Sequence, residues 1–85
     1  MARGRTPSVS DERLLIEILI HQDRMVMAGE IAEAVDVTNQ TIRERMVDLE
    51  DQDRVEREQV SNRNLYRLTE DGQDYLTSIL RKRYE

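Results

Sequence analysis

The segment VTNQTIRERMVDLE, residues 37–50, sorts its side chains onto two sides at helical spacing. Val37, Ile42, Met46 and Leu49 are apolar, while Asn39, Gln40 and Arg43 project from the other side. The amide of an Asn or Gln matches N6 and N7 of adenine, and the fork of an Arg matches O6 and N7 of guanine. Base edges are therefore the chemistry this set suits. The chain as a whole argues the other way, because its 18 acidic residues outnumber its 13 basic ones and a net charge of −5 repels a polyanion.

Eighty-five residues make one small domain with room for a single core. There is no Cys, Phe or Trp, which excludes a disulfide framework and a thiolate zinc site and leaves Leu, Ile, Val, Met and three Tyr to fill the interior. The longest apolar run, LLIEILI at 14–20, is interrupted by Glu17 and falls far short of the ~20 residues that span a bilayer. No signal segment opens the chain, so a soluble cytoplasmic protein with no membrane partner is expected. Twelve of the basic residues are Arg and only Lys82 is a lysine. That makeup resembles the acid-rich proteins of salt-in halophiles, in whose molar-salt cytoplasm the Debye length shrinks to ~3 Å and local surface outweighs net charge. An ordinary acidic protein that binds other proteins is the alternative.

The elements that must position residues 37–50 follow from caps and periodicity. Residues 1–9 read as a mobile basic arm carrying Arg3 and Arg5. Ser10 is a good N-cap, Asp11 and Glu12 suit the positive end of a helix, and Val9 with Leu14 has the spacing of a hydrophobic staple, so a first helix is expected over about 11–22. RMVMA at 24–28 is too short for a helix and reads as an edge strand. Ile31, Ala32 and Val35 give a short second helix that ends at Asp36, and Thr38 caps a third that continues to about residue 51. Val55 and Arg57 alternate with Glu56 and Glu58, and the turn-forming SNRN at 61–64 precedes Leu65 to Leu68, which predicts a β-hairpin. Tyr75, Leu76, Ile79, Leu80 and Tyr84 recur at helical spacing, and Arg81, Lys82 and Arg83 complement the end of that last helix.

EIAEAVDVTNQTIRERMVDLED resembles the second helix, turn and recognition helix of the winged helix-turn-helix family, and LYRLTEDGQDYL resembles its final wing strand and following helix. The likeness is greatest to small MarR-like and archaeal virus- or plasmid-repressor-like regulators. It implies an α+β, mainly helical fold, with a basic arm, a winged-helix domain over 10–70 including a two-stranded wing, and a C-terminal helix over 71–85. It also implies a sequence-specific double-stranded DNA-binding regulator, a repressor, that needs no cofactor and no small-molecule ligand. Asp36 and Asp53 depart from the family by standing where Gly is frequent, at positions needing a left-handed or turn conformation that Asp tolerates better than most. Met27 or Ala28 replaces the usual Ser/Thr cap of the second helix, which should weaken its start. Arg54 replaces a common apolar residue and leaves Val55 to anchor the first wing strand.

On that fold the opening conflict resolves. Residues 1–10, 37–43, 59–69 and 75–84 contain no acid, and the first three windows are the arm, the leading half of the recognition helix and the wing, the surfaces that meet DNA in such folds. Asn39, Gln40, Arg43 and Glu44 are the expected base-reading set, although Glu44 could instead pair with an Arg on its own helix. Thr38 and Arg45 are placed for phosphates, and Arg57, Asn62, Arg63 and Asn64 for the backbone or minor groove, together with Arg3 and Arg5. His21 has no second ligand for a metal, and Met25 and Met27 read as core filler. No nucleophile–base constellation, phosphate-cradling loop or paired carboxylate points to an enzyme. A winged-helix module that binds proteins through its acidic surface is the alternative function. A homodimer is expected through Ile16 and Ile20 of the first helix and Leu76, Ile79, Leu80 and Tyr84 of the last, unless that last helix folds back on its own domain.

Overall fold

A computed structural model describes residues 9–84. Along the chain run α1 (Asp11–Leu19), β1 (Val26–Met27), α2 (Ala28–Val35), α3 (Asn39–Asp51), β2 (Val55–Val60), β3 (Arg63–Leu68) and α4 (Glu70–Tyr84). The strands form one antiparallel sheet in the order β1-β3-β2, so the short segment at 26–27 extends the hairpin into a third strand by pairing Val26 with Tyr66 and Met27 with Leu65. The winged-helix layout and the hairpin stand as expected from sequence.

Local chemistry sets each boundary. Ser10 caps α1 by accepting from the Arg13 N–H at 3.1 Å. The helix stops at Leu19, three residues before the expected end, because the chain tightens there: the N–H groups of His21 and Gln22 donate to the carbonyls of Ile18 and Leu19, three residues back. Helix α2 lacks a side-chain cap from Met27, yet its start is not left open. The Glu30 carboxylate reaches back to accept the Met27 N–H at 3.0 Å and is gripped on its other side by Arg24. Asp36 ends α2 in the left-handed conformation (φ 61°, ψ 48°), and Asp53 after α3 also has φ 61°, the backbone states for which Gly is frequent.

The core joins Leu14, Leu15 and Ile18 of α1 to Ile31, Ile42, Met46 and Leu49 of α2 and α3, Val26, Val55, Tyr66 and Leu68 of the sheet, and Leu76 of α4. Val55 alone of β2 is buried and β3 buries only Tyr66 and Leu68 towards its end, so the tip of the hairpin projects from the body as a wing. Arg54 lies over the Tyr75 ring at 3.8 Å from its centroid; this contact with the aromatic face compensates a guanidinium Nε that has no hydrogen-bond partner. Leu76 belongs to the domain's own interior, Leu80 packs against the core, and Arg83 forms an ion pair with Glu12 of α1 at 2.8 Å. Of the expected dimer row, Leu76 is thus spent on folding α4 back onto its own domain, while Leu80 is half-buried. Ile16 also packs against the core, Ile79 is half-buried, and Ile20 is exposed. The side chain of Tyr84, like Arg3 and Arg5, lies outside the described residues.

Candidate nucleic-acid interface

Thr38 makes α3 start where it does: its hydroxyl accepts the Thr41 N–H at 3.1 Å, and the amides of Asn39 and Gln40, at the first helical positions, have no acceptor within the helix. Burial of Ile42, Met46 and Leu49 fixes the rotation of the helix. Asn39, Gln40, Arg43 and Glu44 are consequently exposed, as the two-sided pattern predicts. Gln40 donates from Nε2 to Oε2 of Glu44 at 3.2 Å, so Glu44 pairs with an amide one turn back and not with an arginine.

The wing ends in a turn tighter than the four-residue tip expected. Only Ser61 and Asn62 form it, both with positive φ (50° and 68°), which is the two-residue geometry that matches strand twist. Arg63 and Asn64 are strand residues opposite Val60 and Gln59. Asn64 is half-buried on the same strand as Tyr66, whose burial pushes its hydroxyl's pKa up. Asn39 and Arg43 from α3, Asn62, Arg63 and Asn64 from the wing, and the start of α2 line one cleft of about 540 Å³.

Charge pairing sets the cleft arginines apart from most others; of the rest without a carboxylate partner among the described residues, Arg54 lies over Tyr75 and Arg81 is on α4, outside the cleft. Arg13 pairs with Glu17, Arg24 with Glu30, Arg45 with Asp11, Arg57 with Glu50, Arg67 with Glu56 and Arg83 with Glu12, at 2.6–3.4 Å. Arg43 and Arg63, by contrast, have no carboxylate partner within 4 Å among the described residues; the guanidinium of Arg63 touches only the Met27 sulfur, at 3.9 Å. Both point into the cleft between helix and wing. Two of the expected DNA-contacting arginines also carry an ion pair: Arg45, expected on phosphates, ties α3 to the first turn of α1, and Arg57, expected on the backbone or minor groove, ties the wing to the end of α3. Sequence separation hides such pairs, since Asp11 and Arg45 are 34 residues apart. One exposed α3 residue escaped the sequence reading: Val47, with 55% of its surface open. Its helical phase outside the Ile42–Met46–Leu49 stripe is the signal that locates it.

Glu30, at the rim of the same cleft, is held down to a pKa of about 2, first by its bonds to Arg24 and then by the Met27 N–H. It stays charged at neutral pH and serves to cap α2. No group of three His, Cys, Asp or Glu side chains among the described residues is arranged to hold a metal ion, and no described helix is long and apolar enough to cross a membrane.

No protein-family model matches the chain, and no curated protein sequence does. Solved structures do. AF1382 from Archaeoglobus fulgidus superposes with a TM-score of 0.73 at 23% identity, covering 80% of this chain and 77% of that one. MepR, a transcription regulator of the Staphylococcus aureus multidrug efflux pump MepA, gives 0.71 at 23% identity over 89% of this chain; the chain spans only 61% of MepR's length. MepR in a complex with DNA gives 0.72 at 24% identity, covering 91% of this chain and 68% of that one. Four helices, the three-stranded sheet and the projecting hairpin, in this order and arrangement, give the chain the winged-helix fold that these structures share.

Proposed function

We propose that this chain is a sequence-specific double-stranded DNA-binding transcription regulator that reads the major groove with α3 and sets its wing on the backbone or minor groove. The observation that carries this reading is the pairing pattern around the cleft: carboxylates neutralise Arg13, Arg24, Arg45, Arg57, Arg67 and Arg83, Arg54 lies over Tyr75, and Arg43 and Arg63 both line one cleft with no carboxylate partner among the described residues. A surface meant only to stay hydrated would gain nothing from leaving those two free. Asn39 and Arg43 carry donors and acceptors for base edges, and the open amides at the start of α3 suit a phosphate. The Gln40–Glu44 pair presents a carboxylate that accepts from cytosine N4. Arg63 and Asn62 at the wing tip suit the backbone or minor groove. A DNA complex of the similarly folded MepR adds support.

Repression follows as the simplest mode, by occupying a promoter. Two copies related by a two-fold axis would read half-sites about 34 Å apart. With Leu76 inside the domain, any pairing surface on this side would draw on Ile20 and Ile79. The acid-rich, lysine-poor composition fits a protein working in a molar-salt cytoplasm, as in halophilic archaea. Selection from a random duplex pool, run at several salt concentrations, tests the proposal. An enriched motif is expected, and no enrichment at any salt would favour a protein-binding module.

A further inference from the structure

The outward arc of α3 contains one group that none of the polar contacts above explains. At about 3.6 residues per turn, Val47 falls between Arg43 and Gln40, on the side away from Ile42, Met46 and Leu49. It is more than half exposed, and of the exposed large apolar residues among those described it is the only one on α3; the others, Ile20 and Val60, lie beyond α1 and at the end of β2. A single exposed valine is ordinary on a protein surface. This one sits among candidate base readers, contributes nothing to the core, and is a poorer helix former than Ala, Arg or Glu. It is also the last outward position before the acids Asp48, Glu50 and Asp51, which mark where the helix must leave a polyanion.

We infer that Val47 reads the C5-methyl group of a thymine in the major groove. The inference rests on the DNA-binding reading above and adds to it the class of base that α3 selects beyond Arg43. A branched apolar side chain has no polar edge to satisfy, and the thymine methyl is the apolar feature that base pairs expose in that groove. Val47 lies four residues beyond Arg43, about 6 Å along the helix axis, and base pairs rise by about 3.4 Å. The thymine therefore belongs one or two base pairs from the guanine that Arg43 reads.

Replacing thymine by deoxyuridine removes that methyl and leaves every Watson–Crick group in place. With the selected duplex, single thymine-to-deoxyuridine replacements should weaken wild-type binding about fourfold (~0.8 kcal/mol, the worth of one buried carbon) at one position per half-site. Val47→Ala should bind the thymine and deoxyuridine duplexes equally, and Val47→Thr, which keeps one methyl, should retain part of the discrimination. Because Val47 is exposed, both variants should fold, and circular dichroism melts verify that. Equal wild-type affinity for thymine and deoxyuridine at every position overturns the inference, as does undiminished discrimination by Val47→Ala. Either result leaves the enriched motif standing, whereas no enriched motif removes the DNA-binding reading and Val47's role with it.

Discussion

Gly72→Ala should be among the most damaging single-methyl changes in this protein. A Cβ at Gly72 would stand 1.9 Å from the carbonyl oxygen of Arg54 and 2.8 Å from its carbon. Ordinary carbon–oxygen contact begins near ~3.3 Å, so the start of α4 and the backbone entering β2 must separate by more than about 1 Å. That displacement costs roughly 1–3 kcal/mol as overpacking. It also strains the hydrogen bond from the Thr69 N–H to the same Arg54 carbonyl, 3.1 Å, and the bonds of the Thr69 hydroxyl to the Gly72 N–H and the Asp53 carbonyl, worth about 1 kcal/mol together if half lost. Against this stands less than ~1 kcal/mol of helix propensity gained. A net loss of about 2–3 kcal/mol lowers the melting midpoint by roughly 10–20 °C in a domain of this size. Gly29→Ala is the internal control: its Cβ would meet only the Asn39 side chain, at 3.6 and 3.9 Å, and φ there is not positive, so stability should rise by about 0.5–1 kcal/mol. Thermal melts followed by circular dichroism read both. A Gly72→Ala midpoint at or above wild type, or equal falls for the two variants, would refute the close-approach argument.

Other consequences can be checked on the same samples. Glu30 is depressed in the folded state, so its contribution is fully present above the ordinary carboxylate value of 4.5 and is lost as pH falls toward about 2. Glu30→Gln should therefore flatten the stability profile between pH 5 and 2, and, both partners being partly exposed, the loss at neutral pH should stay near ~1 kcal/mol; an unchanged profile would show that the cap contributes nothing. Arg45→Gln removes the link to Asp11 and should cost at most ~1 kcal/mol of stability while leaving the selected DNA motif intact. Net charge −5 on a small domain should make the melting midpoint rise from dilute buffer to molar KCl, and a flat or falling midpoint contradicts the high-salt reading.

Much of the fold is written in local signals. Ser10 and Thr38 mark helix starts through bonds that span three residues, and Ile42, Met46 and Leu49 fix the face of α3 through periodicity alone. Asp36 and Asp53 take the positive-φ conformations inferred for them. What stayed hidden depends on distance along the chain. The ion pairs of Arg45 and Arg57 are of this kind, because their partners, Asp11 and Glu50, are chosen by tertiary packing. Leu76 and Leu80 offer a row equally suited to a second copy or to the chain's own core, and periodicity cannot distinguish the two; the packing of α4 takes Leu76 into the core. Gly72 looks like a residue in a turn, but the reason for it is the Arg54 carbonyl, 18 residues earlier, lying against it. Helix α1 ends earlier than its apolar pattern suggests for a related reason: Ile20 continues that pattern although the hydrogen bonds have already tightened into a turn.

If the two cleft arginines without carboxylate partners, Arg43 and Arg63, bind DNA while the paired arginines hold the fold, the dependence of affinity on salt should separate them. Binding of the selected duplex should be measured from low to molar salt for wild type, Arg43→Ala, Arg63→Ala and Arg13→Ala, the last removing a guanidinium already engaged by Glu17 and the Ala34 carbonyl. Arg63→Ala should weaken binding to all sequences alike and reduce the slope of log K against log salt by about one. Arg43→Ala should lose ~1–3 kcal/mol of discrimination at one or two base pairs, and Arg13→Ala should change neither slope nor motif. If Arg13→Ala lowers the slope as much as Arg63→Ala, or Arg43→Ala leaves the motif unchanged, the pairing pattern does not mark the DNA surface and the account fails.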